Sequence, residues 1–309
     1  MVRKFRFGVA LGYELTSDPV AASQRAESLG YDVVAIGDHV GAELSPMLTL
    51  AAVAQRTERI RLGTLVINAD LRSPTQLACE AVTLDHLSSG RFELGVGAGH
   101  TPQEYAAVGA ELRPATLRKQ RLRELVDLVR RLLDGETVDA SGRFFELRAT
   151  HVGRSAQDRL PILVGGNGQG LLEHAGRCAD IVGLQGLGRT LADGHRHEVR
   201  WSVDHLDRQI EQIRLGTGAS MEHVELNALV QHVEITDDRS AALDRICARV
   251  NGLDRAAAEV TPYLLVGSVD EVATHLHEVR ERWGISYFTV RDGDAFAPVL
   301  AALGRQTPG

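Results

Sequence analysis

Short apolar runs alternate with stretches of helical periodicity along nearly the whole chain. The runs are rich in β-branched residues and about four to eight residues long, which is typical of buried strands. Between them, apolar residues recur every three or four positions, which is typical of amphipathic helices. The pattern predicts eight strands, at residues 5–11, 31–36, 60–67, 92–96, 161–164 and 180–184, within 224–235, and at 285–290.

Helix signals separate these strands. Ser17-Asp18-Pro19, Ser45-Pro46 and Ser73-Pro74 each place a capping residue before a proline in the first helical turn. Strands that alternate with helices form a parallel sheet covered by helices, and eight of them favour a closed barrel. We therefore predict an α/β fold, a (β/α)8 TIM barrel with small insertions. Its other helices are predicted at residues 117–133, 171–178, 203–215, 241–250, 269–283 and 296–303.

The chain has 309 residues, somewhat more than the roughly 250 of a typical barrel of this kind. No linker rich in proline, glycine and serine divides it, so we expect residues 1–309 to form a single domain. A small hairpin insertion is predicted at residues 135–147. The alternation of strand and helix is weakest at residues 186–203.

Composition narrows the class of partner. The formal net charge of −7 argues against a nucleic acid or an anionic membrane surface. Cys79, Cys178 and Cys247 lie far apart without a C-x-x-C pair, which suggests neither disulfides nor a zinc ribbon. His195 and His197 have a spacing that faces opposite sides of a helix, and no third ligand is evident. These spacings give no reason to expect a bound metal. No apolar run approaches the roughly 20 residues of a membrane span, so we expect a cytoplasmic protein.

Asp38 and His39 follow the second predicted strand. In parallel barrels the carboxyl ends of the strands face the active site, and histidine readily exchanges a proton near neutral pH. A catalytic role is one interpretation of this pair. A loop histidine, with Asp38 capping a turn, is the other, and position at a strand end does not separate the two.

Glycine-rich segments follow two other strands. Gly97-Ala98-Gly99 comes after the fourth strand and Gly165-Gly166-Asn167 after the fifth. Glycine lets the backbone approach a flat ring or a phosphate closely, and the N–H groups at a helix start favour an anion. Tight turns between strand and helix explain both segments equally well. Gly63-Thr64-Leu65-Val66, at the end of the third strand, allows either a plain strand or a bulge toward a ligand.

Taken together, these segments resemble the luciferase-like monooxygenase superfamily, and most closely its branch of oxidoreductases that depend on the deazaflavin coenzyme F420. The matching segments span nearly the whole length, and their order and spacing carry the resemblance. They are AESLGYD at 26–32, Asp38-His39, LGTLV at 62–66, RSP at 72–74, TLDHLSSGRFELGVGAG at 83–99, PILVGGN at 161–167, ADI at 179–181 and VGS at 266–268.

The resemblance implies that the deazaflavin lies across the strand ends, with Asp38-His39 beside the reactive face of its ring. It implies a bulge with a non-prolyl cis peptide bond at Leu65-Val66, behind the ring. It also makes Gly97, Ala98 and Gly99 candidate cofactor contacts. Gly165, Gly166 and Asn167 match a loop on the phosphate side of the cofactor, and Gln185 and Gly186 are expected to join them.

Two positions depart from the family's sugar-phosphate dehydrogenases. Those enzymes carry a tryptophan shortly after the Asp-His pair, where this chain has Val40-Gly41-Ala42-Glu43. They also carry a glutamate where this chain has His100. A sugar-phosphate substrate is therefore not expected.

The resemblance predicts an oxidoreductase that transfers a hydride between F420 and a small organic substrate. His39 and His100 are the candidate acid–base residues, and Glu14, after the first strand, is a candidate substrate contact. The cofactor's tail carries a phosphate and carboxylates, for which Arg72 and Arg189 are candidate cations; solvated surface charges are the alternative for both. We also expect a homodimer.

Two alternatives stay open. The first is an FMN-dependent monooxygenase that receives reduced flavin from a separate reductase, because the two cofactors share a tricyclic ring. The second is a non-catalytic flavin-binding protein of the same fold.

Overall fold

The computed structural model describes residues 3–11, 18–40, 44–190, 197–218 and 220–304. The strands are β1 (Arg6–Ala10), β2 (Val33–Ile36), β3 (Arg61–Thr64), β4 (Ile67–Asn68), β5 (Phe92–Gly97), β6 (Val138–Ser141), β7 (Glu146–Thr150), β8 (Ile162–Gly165), β9 (Ile181–Leu184), β10 (Leu187–Thr190), β11 (His197–Val199), β12 (Glu225–Leu229), β13 (His232–Ile235), β14 (Leu264–Gly267) and β15 (Ile285–Val290). The helices are α1 (Pro19–Ser28), α2 (Pro46–Ala54), α3 (Pro74–Leu87), α4 (Pro102–Ala107), α5 (Ala115–Leu133), α6 (Gln169–Cys178), α7 (Val203–Thr217), α8 (Arg239–Arg249), α9 (Arg255–Val260), α10 (Val269–Trp283) and α11 (Gly293–Ala302).

Eight parallel strands close into a barrel. Their order around it is β1, β2, β3, β5, β8, β9, β12 and β15, and β15 pairs with β1 to complete the ring. The predicted (β/α)8 barrel is therefore confirmed. The helices pack outside, so each strand is covered on one face by a helix and on the other by the barrel interior.

Local sequence determines where the helices begin. The Asp18 carboxylate accepts hydrogen bonds from the N–H groups of Val20 and Ala21, so Asp18 caps α1. Ser268 and Glu271 form a capping box at the start of α10. α2 and α3 begin at Pro46 and Pro74, one residue after the serine that the sequence pattern singled out.

The structure differs from the expectations mainly in its insertions. The single strand expected at 60–67 is divided into β3 and β4, with Leu65 and Val66 between them. The 224–235 segment supplies β12 to the barrel, while β13 leaves it and pairs in parallel with β14. β6 and β7 form the expected hairpin, and β10 and β11 form a second hairpin in the region of weak alternation.

The two ends of the barrel interior differ in character. Near the amino ends of the strands, Arg6 forms ion pairs with Glu93 and Glu225, and its guanidinium lies 4.6 Å from the centroid of the Tyr287 ring. Burial works against the charge on Arg6, yet the two carboxylates more than offset it and raise its pKa. Burial raises the pKa of Glu225 despite Arg6. Toward the carboxyl ends, glycine replaces larger side chains. At Gly95, the Thr64 carbonyl of the neighbouring strand occupies the space that a side chain would fill.

Within the described residues, no helix combines the length and apolar character that crossing a membrane requires.

We expect Gly95→Ala to destabilise the barrel by about 3 kcal/mol or more, because overpacking a rigid core is costly. A Cβ atom at Gly95 would lie 1.8 Å from the Thr64 carbonyl oxygen, which is backbone and cannot swing aside. Gly63→Ala is the matched control, since its Cβ atom would meet its nearest neighbour at 3.5 Å. Chemical denaturation measures both variants, and equal midpoints would contradict this prediction.

Candidate active site

Asp38 is a buried carboxylate at the end of β2 that connects two loops. Its Oδ2 atom accepts a hydrogen bond from the Asn68 N–H at 3.0 Å and one from Arg72 Nη2 at 2.9 Å. Burial is the largest influence and raises the pKa of Asp38, while Arg72 and the Asn68 N–H act in the opposite direction. Asp38 therefore links the β2 loop to the segment that follows β3.

His39 is held by a glutamate that the sequence analysis did not identify. Its Nδ1 atom lies 2.6 Å from Oε1 of Glu104, which is buried on α4. The His100 ring meets the His39 ring edge-on, with centroids 6.3 Å apart. The two predicted histidines are thus together, and a carboxylate on Nδ1 fixes the orientation of the His39 ring.

The segment between β3 and β4 is a bulge. Gly63 pairs with Glu93 and Ile67 with Val96, so four steps on one strand oppose three on the other. The Leu65-Val66 peptide bond is cis, as the resemblance implied.

The glycines near Val66 make room for this bulge. A Cβ atom at Gly97 would lie 2.6 Å from Val66 Cγ2, and one at Gly165 would lie 3.1 Å from Val66 Cγ1. Gly97 and Gly165 thus face the bulge, so the tight packing of the barrel itself accounts for both of these glycines.

Asn68 and Tyr105 support the loop after β5. Gly99 has a φ of +68°, and a Cβ atom there would lie 2.2 Å from Asn68 Oδ1 and 2.5 Å from the Tyr105 hydroxyl oxygen. Only glycine combines this backbone conformation with such close neighbours. The Gly97-Ala98-Gly99 turn therefore brings His100 toward His39 by packing closely on the residues after the bulge.

The loops after β8 and β9 meet on the other side of the mouth. A Cβ atom at Gly165 would lie 3.2 Å from Gln185 Nε2, so these two predicted residues are adjacent. Asn167 uses its side chain inside the protein, donating to the Leu187 carbonyl and accepting from Gln209 at 2.7 Å. Gly186 packs against the ring of Tyr263.

A group of basic side chains surrounds the start of α6. Lys119 Nζ lies 2.7 Å from the position that a Cβ atom would take at Gly168. Arg123 Nη1 lies 3.6 Å from the corresponding position at Gly170. Burial, together with the like charges of Arg118 and Arg200, lowers the pKa of Lys119. Across the described ranges, no carboxylate forms an ion pair with Lys119 or Arg123. Positive charge therefore accumulates beside helix N–H groups, which is an arrangement that favours an anion.

Some predicted residues take other positions or cannot be placed. Arg72, a candidate cation for the cofactor tail, forms an ion pair with Asp38. Glu14 lies outside the described residues, as does the side chain of Arg189. The sequence does carry signals for two residues that were not predicted. Thr101-Pro102 is a helix start like the two serine–proline pairs and places Glu104 in its first turn, and Lys119 belongs to the basic segment LRKQRLR.

The fold defines a (β/α)8-barrel protein with a group of polar side chains at the carboxyl ends of the strands, where such barrels carry their functional sites. A family model described as luciferase-like monooxygenase matches residues 3–287. The chain belongs to this family, as its sequence predicted.

Relatives with different activities match parts of the chain. An F420-dependent glucose-6-phosphate dehydrogenase of Amycolatopsis mediterranei (strain U-32) is 30% identical over 206 residues, which cover 63% of this chain and 62% of that protein. A 4-hydroxyprotoasukamycin monooxygenase of Streptomyces nodosus subsp. asukaensis is 42% identical over 126 residues, or 39% of this chain and 33% of that one. The chain thus spans less than two thirds of the length of either relative.

A solved structure matches almost the whole barrel. The coenzyme F420 dependent tetrahydromethanopterin reductase from Methanopyrus kandleri superposes with a TM-score of 0.73 at 19% identity, covering 96% of this chain and 97% of that one. At this identity the likeness establishes the shared fold.

We expect Arg72→Ala to destabilise the protein by about 3 kcal/mol near neutral pH, because it leaves the buried Asp38 carboxylate without its cation. Losing the arginine raises the pKa of Asp38 further above that of the unfolded chain. The folded state then binds the proton more tightly, so the loss of stability becomes smaller as the pH falls through the raised pKa of Asp38. Denaturation at several pH values measures the effect.

Asp38→Asn provides the control, since its side-chain oxygen can still accept from the Asn68 N–H. In that background Arg72→Ala should have a small effect that does not vary with pH. An Arg72→Ala effect of the same size at all pH values in the wild-type background would refute the assigned ion pair.

Proposed function

We propose that the protein is an F420-dependent oxidoreductase that transfers a hydride between the deazaflavin coenzyme and a small organic substrate. The family membership and the F420-dependent relative support an oxidoreductase of this kind. The observation that carries the choice of cofactor is the basic group of Lys119 and Arg123 at the start of α6, with Arg200 close enough to Lys119 to lower its pKa.

The residues at the barrel mouth fit such a cofactor. The α6 N-terminus and Lys119 would hold the phosphate, because backbone N–H groups and a cation both stabilise its charge. Arg123 and Arg200 would hold the carboxylates of the tail. An anion here also opposes the burial and the like charges that lower the pKa of Lys119, so the protein's own charge distribution favours an anionic ligand. The bulge at Leu65-Val66 would support the ring from behind.

When bound, the deazaflavin would supply the hydride chemistry, and the protein would supply orientation and protons. His39 would hold or deliver the proton at Nε2, since Glu104 occupies Nδ1. Glu104 is a positioning residue in this scheme, because it acts through the His39 ring. His100, whose ring lies beside that of His39, would be the second acid–base group.

An FMN-dependent monooxygenase served by a separate reductase is the second candidate. The 42% identity to a monooxygenase over 126 residues favours it. FMN, however, carries a single phosphate, whereas Lys119 and Arg123 lie at the start of α6 and Arg200 lies close enough to Lys119 to lower its pKa. The longer anionic tail of F420 accounts better for all three.

We expect the purified protein to bind F420 more tightly than FMN, and Lys119→Ala to weaken F420 binding roughly tenfold, as a lost hydrogen bond from a charged group does. Lys4→Ala is a matched control, because Lys4 is the chain's only other lysine and is exposed ahead of β1, at the opposite end of the barrel. Fluorescence titration at several salt concentrations measures both variants.

In the wild type, affinity for F420 should fall as salt rises, and the Lys119→Ala variant should be less sensitive to salt. Binding of FMN without measurable binding of F420 would reject the proposed cofactor. Equal F420 affinities in Lys119→Ala and the wild type would remove Lys119 from the tail site.

For the reaction itself, we expect His39→Ala to lower kcat by roughly two to four orders of magnitude, the range for a lost acid–base group. Glu104→Gln should lower kcat roughly 10-fold to 100-fold and leave F420 affinity unchanged, because it loosens the His39 ring without touching the cofactor. Glu111→Gln changes an exposed glutamate in the same part of the chain and should have wild-type kinetics.

Steady-state kinetics across pH, with F420 titrations of each variant, separate these roles. A Glu104→Gln variant with unchanged kcat and an unchanged pH profile would show that the contact with His39 serves the structure alone.

A further inference from the structure

Three side chains with metal-binding atoms meet on the outside of the barrel, between α5 and α6. His174 and Cys178 are four residues apart on α6 and therefore share one face of that helix. Asp127 faces them from α5. The imidazole nitrogen, the thiol sulfur and a carboxylate oxygen all lie within 4.8 Å of one another.

The His174 and Asp127 atoms are already at a suitable separation. His174 Nε2 lies 3.2 Å from Asp127 Oδ1, yet Nε2 is buried and makes no hydrogen bond to any described residue. Tetrahedral zinc with bonds of about 2.0–2.3 Å places neighbouring ligand atoms roughly 3.3–3.6 Å apart. The nitrogen and the oxygen therefore stand near the edge length of such a site, and the sulfur needs only a modest approach.

We propose that Asp127, His174 and Cys178 bind one divalent transition-metal ion, with Zn²⁺ as the best match to a nitrogen, sulfur and oxygen ligand set. Asp127 is 55% exposed, whereas His174 is 11% exposed, so the ion would enter from the Asp127 side and keep a water molecule as its fourth ligand. The bound ion would join α5 to α6. Sequence spacing hid this site because its third ligand comes from a different helix.

Neighbouring charges permit a cation at this position. The nearby basic groups are engaged, since Arg130 pairs with Asp180 at 2.5 Å and Arg177 pairs with Glu173 at 3.0 Å. Burial is the main reason that the pKa of the Cys178 thiol is raised to about 12, and Asp127 adds to it. Binding therefore breaks the S–H bond, forms a metal–sulfur bond and releases the proton to solvent, which lowers the affinity below that of a preformed thiolate site.

Co²⁺ is the probe, because a cobalt–thiolate bond gives a charge-transfer absorption band in the near ultraviolet. The reduced full-length protein, stripped of metal by a chelator, is titrated with Co²⁺ and then with Zn²⁺. We expect a band that saturates at about one Co²⁺ per chain and disappears when Zn²⁺ displaces it. Cys178→Ser should abolish the band, whereas Cys247→Ser, which removes a half-buried thiol on α8, should leave it unchanged.

Asp127→Asn tests the site without disturbing the core, since this residue is exposed. It should retain the band but weaken Co²⁺ binding by roughly tenfold or more, at least the cost of losing an outer-shell partner. No charge-transfer band, a band that survives Cys178→Ser, or an unchanged Co²⁺ affinity in Asp127→Asn would each overturn the proposal. Should Cys178→Ser fail to fold, the Asp127→Asn comparison decides the question alone.

Discussion

The close approach of the bulge after β3 to the neighbouring strand is the constraint on which the mouth of the barrel depends. The Thr64 carbonyl occupies the space where any side chain at residue 95 would begin. The extra residue of the bulge shifts the strand pairing. As a result, the Asn68 N–H donates a hydrogen bond to Asp38, and the Asn68 side chain packs against Gly99. Three loops of the candidate site are therefore positioned by one irregularity in one strand.

The charged side chains at the mouth of the barrel form two groups. One group is paired within the protein, and the other is available to a ligand. Each buried carboxylate there has a partner within the protein: Arg72 for Asp38, His39 for Glu104, and Arg113 with Arg121 for Asp70. Buried charges require such pairing because desolvation penalises an isolated one. The basic side chains around the start of α6 differ, since within the described ranges Lys119 and Arg123 form no ion pair with a carboxylate. An anionic ligand would complete this arrangement.

Sequence alone predicted most of the fold, because its strongest signals are local. Apolar runs, helix caps and the Ser-Pro starts place the barrel strands and most helices close to their observed ends. The β13–β14 pair was not predicted, since pairing between segments some thirty residues apart leaves no local pattern. At the site, residues directly after strands were found, such as His39. Glu104 and Lys119 were missed because their importance comes from which residue they face across space.

The same reasoning explains why the ion pair between Arg72 and Asp38 was not predicted. A lone arginine in a loop after a strand has no local feature that distinguishes a ligand contact from an internal ion pair. The choice depends on Asp38, a buried carboxylate 34 residues earlier, whose desolvation Arg72 opposes together with the Asn68 N–H. Because Arg72 pairs with Asp38, it stiffens the loop that carries His39. The side chains that would attract an anion are then Lys119 and Arg123, on the opposite side of the mouth. His39 and His100 on one side, with Lys119 and Arg123 on the other, would suit a long ligand that is neutral at its reactive end and anionic at its tail.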